Sequence, residues 1–184
     1  MYPYKLPHTI SNPFGEELTF HSVEIKNGSL KMNVVNKLQP GSGPPFHVHF
    51  KQDECLTVVK GRLGYQIRGL QEKYIGEGES VTFRRGHYHR FWNAGEETLE
   101  CTGWLQPANS IDFFLTGIYQ SMNKSGKASG DRFDSAFLLT RYKSEYEMEN
   151  IPPFVQKVVL PMTVVVGRLL GKYSHFKYAP KPLK

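Results

Sequence analysis

The chain has little cysteine. Cys55 and Cys101 are the only two in 184 residues, and neither has a CxxC neighbour. This pattern indicates neither a disulfide framework nor a cysteine zinc site, and it suits a reducing compartment. Long apolar runs are also missing. The most apolar stretch, Val158 to Leu170, is interrupted by Pro161, Gly167 and Arg168, and it is shorter than the roughly 20 residues of a membrane-spanning helix. The start of the chain carries Pro3 and Pro7 and no apolar segment, so it does not read as a secretory signal and a cytoplasmic protein is expected. Charge of one sign is scarce. Lys and Arg number 23 against 17 Asp and Glu, a formal +6, and part of that excess is the tail group Lys172, Lys177, Lys181 and Lys184. No element gathers basic residues as a nucleic-acid groove requires, so no nucleic-acid partner is expected.

The chain does hold 12 Phe, 10 Tyr and 2 Trp, enough for a substantial core in a single domain. From Leu18 to Gln106 short strand-like runs are punctuated by Gly, Pro and Asn. Residues alternate with period two in Leu30, Met32 and Val34, in Leu63, Tyr65 and Ile67, in Val81 and Phe83, and from Leu99 to Leu105. Asn27-Gly28 reads as a hairpin turn, and several short strands at this spacing suggest a sandwich or barrel. After Pro107 the period becomes helical. Ile111, Phe114, Leu115, Ile118 and Met122 follow a potential Ser110 N-cap and precede the stop at Gly126. Residues 124–131, small and polar, read as a mobile loop. Phe133, Phe137 and Tyr142 suggest a second helix. A third, from Val155 to Tyr173, should be kinked or split at Pro161. The expected organisation is a β-rich body over residues 1–108 and a helical extension over 109–184. The extension is expected to pack on the body or on a partner subunit, with an amphipathic helix lying on a membrane surface as the less favoured alternative.

The chemistry concentrates between Gly41 and Asn93. His47 and His49 lie two apart on an expected strand, so both imidazoles leave the same face. Glu54 can return past a bend to add a carboxylate, giving a mixed N/O set suited to a divalent transition metal, and His89 lies in a second glycine-punctuated stretch. His87 shares the parity of His89 and reads as structural or exposed. Arg84, Arg85 and Arg90 read as solvated rim charges, His8, His21 and His175 as exposed or hydrogen-bonded, and both cysteines as small buried apolar groups.

These two stretches resemble the cupins. The first family motif, G(X)5HXH(X)3-4E(X)6G, is matched at every fixed position by Gly41, His47, His49, Glu54 and Gly61. The second, G(X)5PXG(X)2H(X)3N, is matched by Gly78, Gly86, His89 and Asn93, with Arg84 where the family has Pro. The resemblance implies a mainly β fold, a double-stranded β-helix or jelly-roll-like barrel, here with a C-terminal α-helical extension. It implies one divalent ion (Fe, Mn, Ni, Cu, Co or Zn) held by His47, His49, Glu54 and His89, with Glu54 also moving a proton. It further implies a homodimer formed through sheet edges. Tyr65, Ile67, Phe91 and Trp92 are expected to wall a pocket for a small-molecule substrate. Dioxygenase-like oxidation is the expected chemistry; a sugar-directed isomerase or epimerase, or a non-catalytic ligand-binding module, are the alternatives.

Overall fold

The computed structural model describes residues 4–183. Met1 to Pro3, the start of the expected N-terminal arm, and Lys184 of the basic tail lie outside the described residues. Ten strands precede the helices: β1 (His8–Ser11), β2 (Glu16–Lys26), β3 (Ser29–Leu38), β4 (His47–His49), β5 (Asp53–Lys60), β6 (Leu63–Ile67), β7 (Lys73–Ile75), β8 (Ser80–Phe83), β9 (His89–Asn93) and β10 (Leu99–Gln106). Then come α1 (Ile111–Ser125), α2 (Arg132–Arg141), a further strand β11 (Tyr146–Met148), a π-turn over Val155–Val159 and α3 (Leu160–Leu169).

All pairings are antiparallel. They make one sheet in the order β1-β2-β3-β10-β5-β8 and a second in the order β11-β4-β9-β6-β7. The alternation in the sequence fixes which side chains face inward. Leu38, Leu56, Val58, Leu63, Phe83, Phe91, Leu99 and Cys101 bury themselves in one cluster between the two sheets. Asn27 and Gly28, both at positive φ, close the β2–β3 hairpin as a two-residue turn, the backbone geometry that matches strand twist.

A second cluster joins the outer strands to the helices. Phe20, Met32 and Val34 pack with Ile111, Phe113, Phe114, Leu138, Tyr142 and Tyr146. The extension therefore shares a core with the sheet, and β11 goes further by extending the second sheet alongside β4, pairing Tyr146 with His49 and Met148 with His47.

Two local expectations are corrected. Ser110 stands at the start of α1 but makes no side-chain cap; its hydroxyl donates to Glu145 Oε2 at 3.1 Å. The loop expected over residues 124–131 is shorter, a turn over residues 126–130 anchored at both ends. Lys124 and Ser125 complete α1, and Asp131 caps α2 through the amides of Phe133 and Asp134. The Asp131 amide itself donates to Ser121. Gly130 makes this close packing possible: a Cβ there would meet the hydroxyls of Ser135 and Ser121 at 2.4 and 2.5 Å. Further on, Pro161 has no amide hydrogen to donate to a residue in the preceding turn. The turn before it widens to π over Val155–Val159 and the helix continues as α3, so the proline divides the helix without ending it.

Candidate metal centre

His47 and His49, on alternate positions of β4, project to the same side of the second sheet. β9 brings His89 opposite His47 in register, and β5, in the other sheet, carries Glu54 opposite Phe83 of β8. Ligand atoms of His47, His49, Glu54 and His89 all lie within 4.8 Å of one another. One carboxylate oxygen, Glu54 Oε2, is 3.0 Å from His89 Nε2, 3.4 Å from His49 Nε2 and 3.9 Å from His47 Nε2. His49, Glu54 and His89 are buried, while His47 is the most open of the four.

The far side of each ring determines what the near side can do. His47 Nδ1–H donates to the Pro45 carbonyl at 2.9 Å and His89 Nδ1–H to the His87 carbonyl at 3.0 Å. His49 Nδ1–H donates to Gln52 Oε1 at 3.0 Å. The Gln52 amide is itself oriented, because its nitrogen donates to the Ala108 carbonyl and to the Tyr146 hydroxyl. With each Nδ1 facing an oxygen acceptor, Nε2 is the ring nitrogen left to face the centre, and that of His89 lies within hydrogen-bond distance of Glu54 Oε2.

Burial pushes the His49 imidazole down to about 4, so it is neutral near pH 7. Burial works to raise the Glu54 carboxyl, but hydrogen bonds from His47 and His89 and the positive charge the imidazoles can carry outweigh it and hold the group well below the usual range. A lone pair aimed at an ionised carboxylate 3.4 Å away repels it, and a cation between them removes that repulsion. The donor set, three imidazole nitrogens and one carboxylate oxygen, therefore fits a divalent transition metal, and the Nδ1 acceptors are the outer contacts that orient metal-binding histidines.

The expected pocket residues separate. Phe91 is buried on the same side of β9 as His89, and Tyr65 and Ile67 pack at the edge of the inner cluster. Trp92 departs from expectation because it lies on the opposite face of β9. There its ring covers Gly64, where a Cβ would come within 2.3 Å of it, meets Tyr74 edge-on, and stacks under Arg90. Phe83, which sequence reasoning left out of the wall, lies parallel to the His89 ring at 4.1 Å. Its period-two relation to Val81 marked it as inward, but nothing marked His89 as its neighbour.

The position where the family has proline is held by charge. Asp53 accepts from Arg84, from the Arg85 guanidinium and from the Arg85 amide, and Gly86 N–H donates to the His49 carbonyl. Arg90 pairs with Glu72 at 2.6 Å. All three arginines thus have surface carboxylate partners, and His87 is exposed. A cleft of about 260 Å³ runs beneath β11 past Tyr146, Met148, Gln156 and Leu160; none of the four clustered residues lines it.

A barrel of two antiparallel sheets with three inward histidines and a glutamate defines a double-stranded β-helix protein with a metal-type centre. Residues 34–104 match the Cupin domain family, so this part of the chain is a cupin domain. Among curated proteins it is similar to the "Probable oxidoreductase virH" of Hypocrea virens, 28% identical over 65% of this chain and 48% of that protein. It is also similar to the "Oxidoreductase iacF" of Pestalotiopsis fici, 34% identical over 40% of this chain and 37% of that protein. The matched part thus spans less than half the length of these relatives. A solved structure from Klebsiella pneumoniae, an uncharacterized conserved protein with a double-stranded beta-helix domain, is 24% identical over 48% of this chain and 71% of that chain, with a TM-score of 0.42. Among the described residues, no helix is long and apolar enough to cross a membrane.

Proposed function

We propose that this cupin is a divalent-metal-dependent oxidoreductase acting on a small, largely apolar organic molecule, with dioxygenase-like chemistry. The observation that carries the reading is the convergence of three Nδ1-anchored imidazoles on one carboxylate oxygen. The similarity to two proteins named as oxidoreductases favours oxidation over isomerisation or simple binding.

Bound by His47, His49, Glu54 and His89, a transition metal supplies Lewis acidity and redox chemistry toward dioxygen. The chain's own residues do the rest. His47, the most open of the four, lies on the side from which substrate reaches the centre. Phe83, Phe91, Tyr65 and Ile67 exclude water and receive apolar parts of the substrate. Glu54 takes the substrate proton on its carboxylate and later returns it. A homodimer through a sheet edge and a cytoplasmic location, the latter supported by two buried free cysteines, belong to the same reading.

The test is elemental analysis of the purified protein beside the His47→Ala/His89→Ala variant, with dioxygen uptake screened on small aromatic and enolic compounds. About one metal equivalent per chain, absent from the folded variant, and metal-dependent uptake are expected. A protein that takes up none of iron, manganese, nickel, copper, cobalt or zinc overturns the proposal.

A further inference from the structure

The C-terminal helix leaves a broad apolar face uncovered. Thr163, Val164 and Gly167 turn inward, while Phe154, Val158, Met162, Val165, Val166, Leu169 and Leu170 lie exposed along the other side; Met162 is 64% and Leu169 83% open. These positions recur every three or four residues and form one continuous stripe on a helix. None of these side chains lines the cleft beneath β11.

The charge within the segment that carries the stripe is one-sided, although His175 pairs with Asp134 of α2. From Asn150 to the end of the sequence there is no Asp or Glu, and six basic residues occur: Lys157, Arg168, Lys172, Lys177, Lys181 and Lys184. The other 17 basic residues match the 17 acidic ones, so the whole +6 excess of the chain belongs to this segment. Among the described residues, none of Lys157, Arg168, Lys172, Lys177 or Lys181 is within ion-pair distance of a carboxylate. Each is exposed.

We infer that residues 154–181 dock this protein on an anionic lipid surface, with the apolar stripe entering the boundary between headgroups and acyl chains and the basic side chains meeting lipid phosphates and carboxylates. An exposed apolar helix face on a segment whose own charges are all basic satisfies both requirements of interfacial binding. A second copy of the chain fits less well, because pairing two such faces would bring two uncompensated basic sets together.

Co-sedimentation of the 184-residue chain with vesicles tests this, using phosphatidylcholine alone and phosphatidylcholine with a minor fraction of phosphatidylserine. Light scattering gives the mass of the protein in solution. Binding is expected to be about tenfold or more tighter to the anionic vesicles and to weaken with added salt. Met162→Asp/Leu169→Asp should abolish it without changing the solution mass. Lys157→Glu/Arg168→Glu/Lys172→Glu, which removes no apolar contact of the stripe, should reduce binding to the level seen with phosphatidylcholine. Equal binding to both vesicle types, or none to either, overturns the proposal. So does a dimer that Met162→Asp/Leu169→Asp converts to monomer, since the stripe would then lie between copies.

Discussion

His49 donates its Nδ1 proton to Oε1 of Gln52 at 3.0 Å, and Gln52 has no freedom to turn away because its amide nitrogen is held by Ala108 and Tyr146. One buried amide thus connects an inward histidine of the barrel to a tyrosine supplied by the helical extension. Tyr146 lies within 3.4 Å of Glu145 and Ser110, so the support of His49 reaches into the second core. Gln52→Leu leaves the imidazole proton, the Tyr146 hydroxyl and the Ala108 carbonyl without this partner. Metal affinity, measured by chelator competition, is expected to fall 10- to 100-fold, and urea unfolding to show a loss of roughly 2–4 kcal/mol. Gln52→Glu keeps an acceptor for His49 and should recover part of the affinity; equal affinity in all three proteins counts against the relay.

Phe83, and not Trp92, should matter to the metal centre. Trp92→Leu uncovers Gly64 and removes the contacts with Tyr74 and Arg90. It is expected to cost about 2–3 kcal/mol of stability while leaving metal content at the wild-type level. Phe83→Leu removes the ring that stacks on His89 and should weaken metal retention. Loss of metal from Trp92→Leu would place that ring at the site after all.

What could be read from the sequence followed from periodicity. Two-residue spacing put His47 and His49 on one face of β4, and the same rule applied to His89 gives Phe91 the inner face and Trp92 the outer one, so the Trp92 expectation broke a parity already present in the chain. Strand-forming runs, the Asn27-Gly28 turn, the α1 stop at Gly126 and the division at Pro161 all rest on local chemistry and were legible. The pairing of β11 with β4 was not. Tyr146 to Met148 is too short to show a period, and its partner lies about 100 residues earlier. Gln52, Glu145 and Ser110 were hidden for the same reason, since their roles depend on what the fold brings beside them.

Asp53 binds the turn that precedes His89. Its carboxylate is held below its ordinary range because, although burial works to raise it, the hydrogen bonds and charges of Arg85 and Arg84 prevail. The stabilisation from this group is therefore present above the unfolded value and is lost as pH falls through the lower folded one. Asp53→Ala should cost about 1–2 kcal/mol, a modest figure because both arginines are largely exposed, and should also speed metal release by loosening the turn that carries His89. Stopped-flow chelation checks the second effect, and unchanged release would mean that Gly86 and its bond to His49 suffice to hold the turn.

Asp112 makes the opposite contribution. It is 1% exposed in the first turn of α1, and neither carboxylate oxygen has a partner in good hydrogen-bond geometry, although the Asp112 and Phe113 amides lie close by. Burial raises the carboxyl from 3.8 to about 6, with the amides of the first helical turn opposing the shift. The folded chain then binds the proton more tightly than the unfolded chain, so the favourable contribution is complete below the unfolded value and disappears as pH rises toward 6. Two pKa units correspond to roughly 3 kcal/mol against the ionised fold at neutral pH. Asp112→Asn removes the charge and this dependence on pH. In metal-free protein unfolded with urea, the variant should gain about 2 kcal/mol relative to wild type between pH 4.5 and pH 7.5. A stability difference that stays constant across that interval would mean Asp112 is solvated enough to ionise freely, and the variant would then report only side-chain packing.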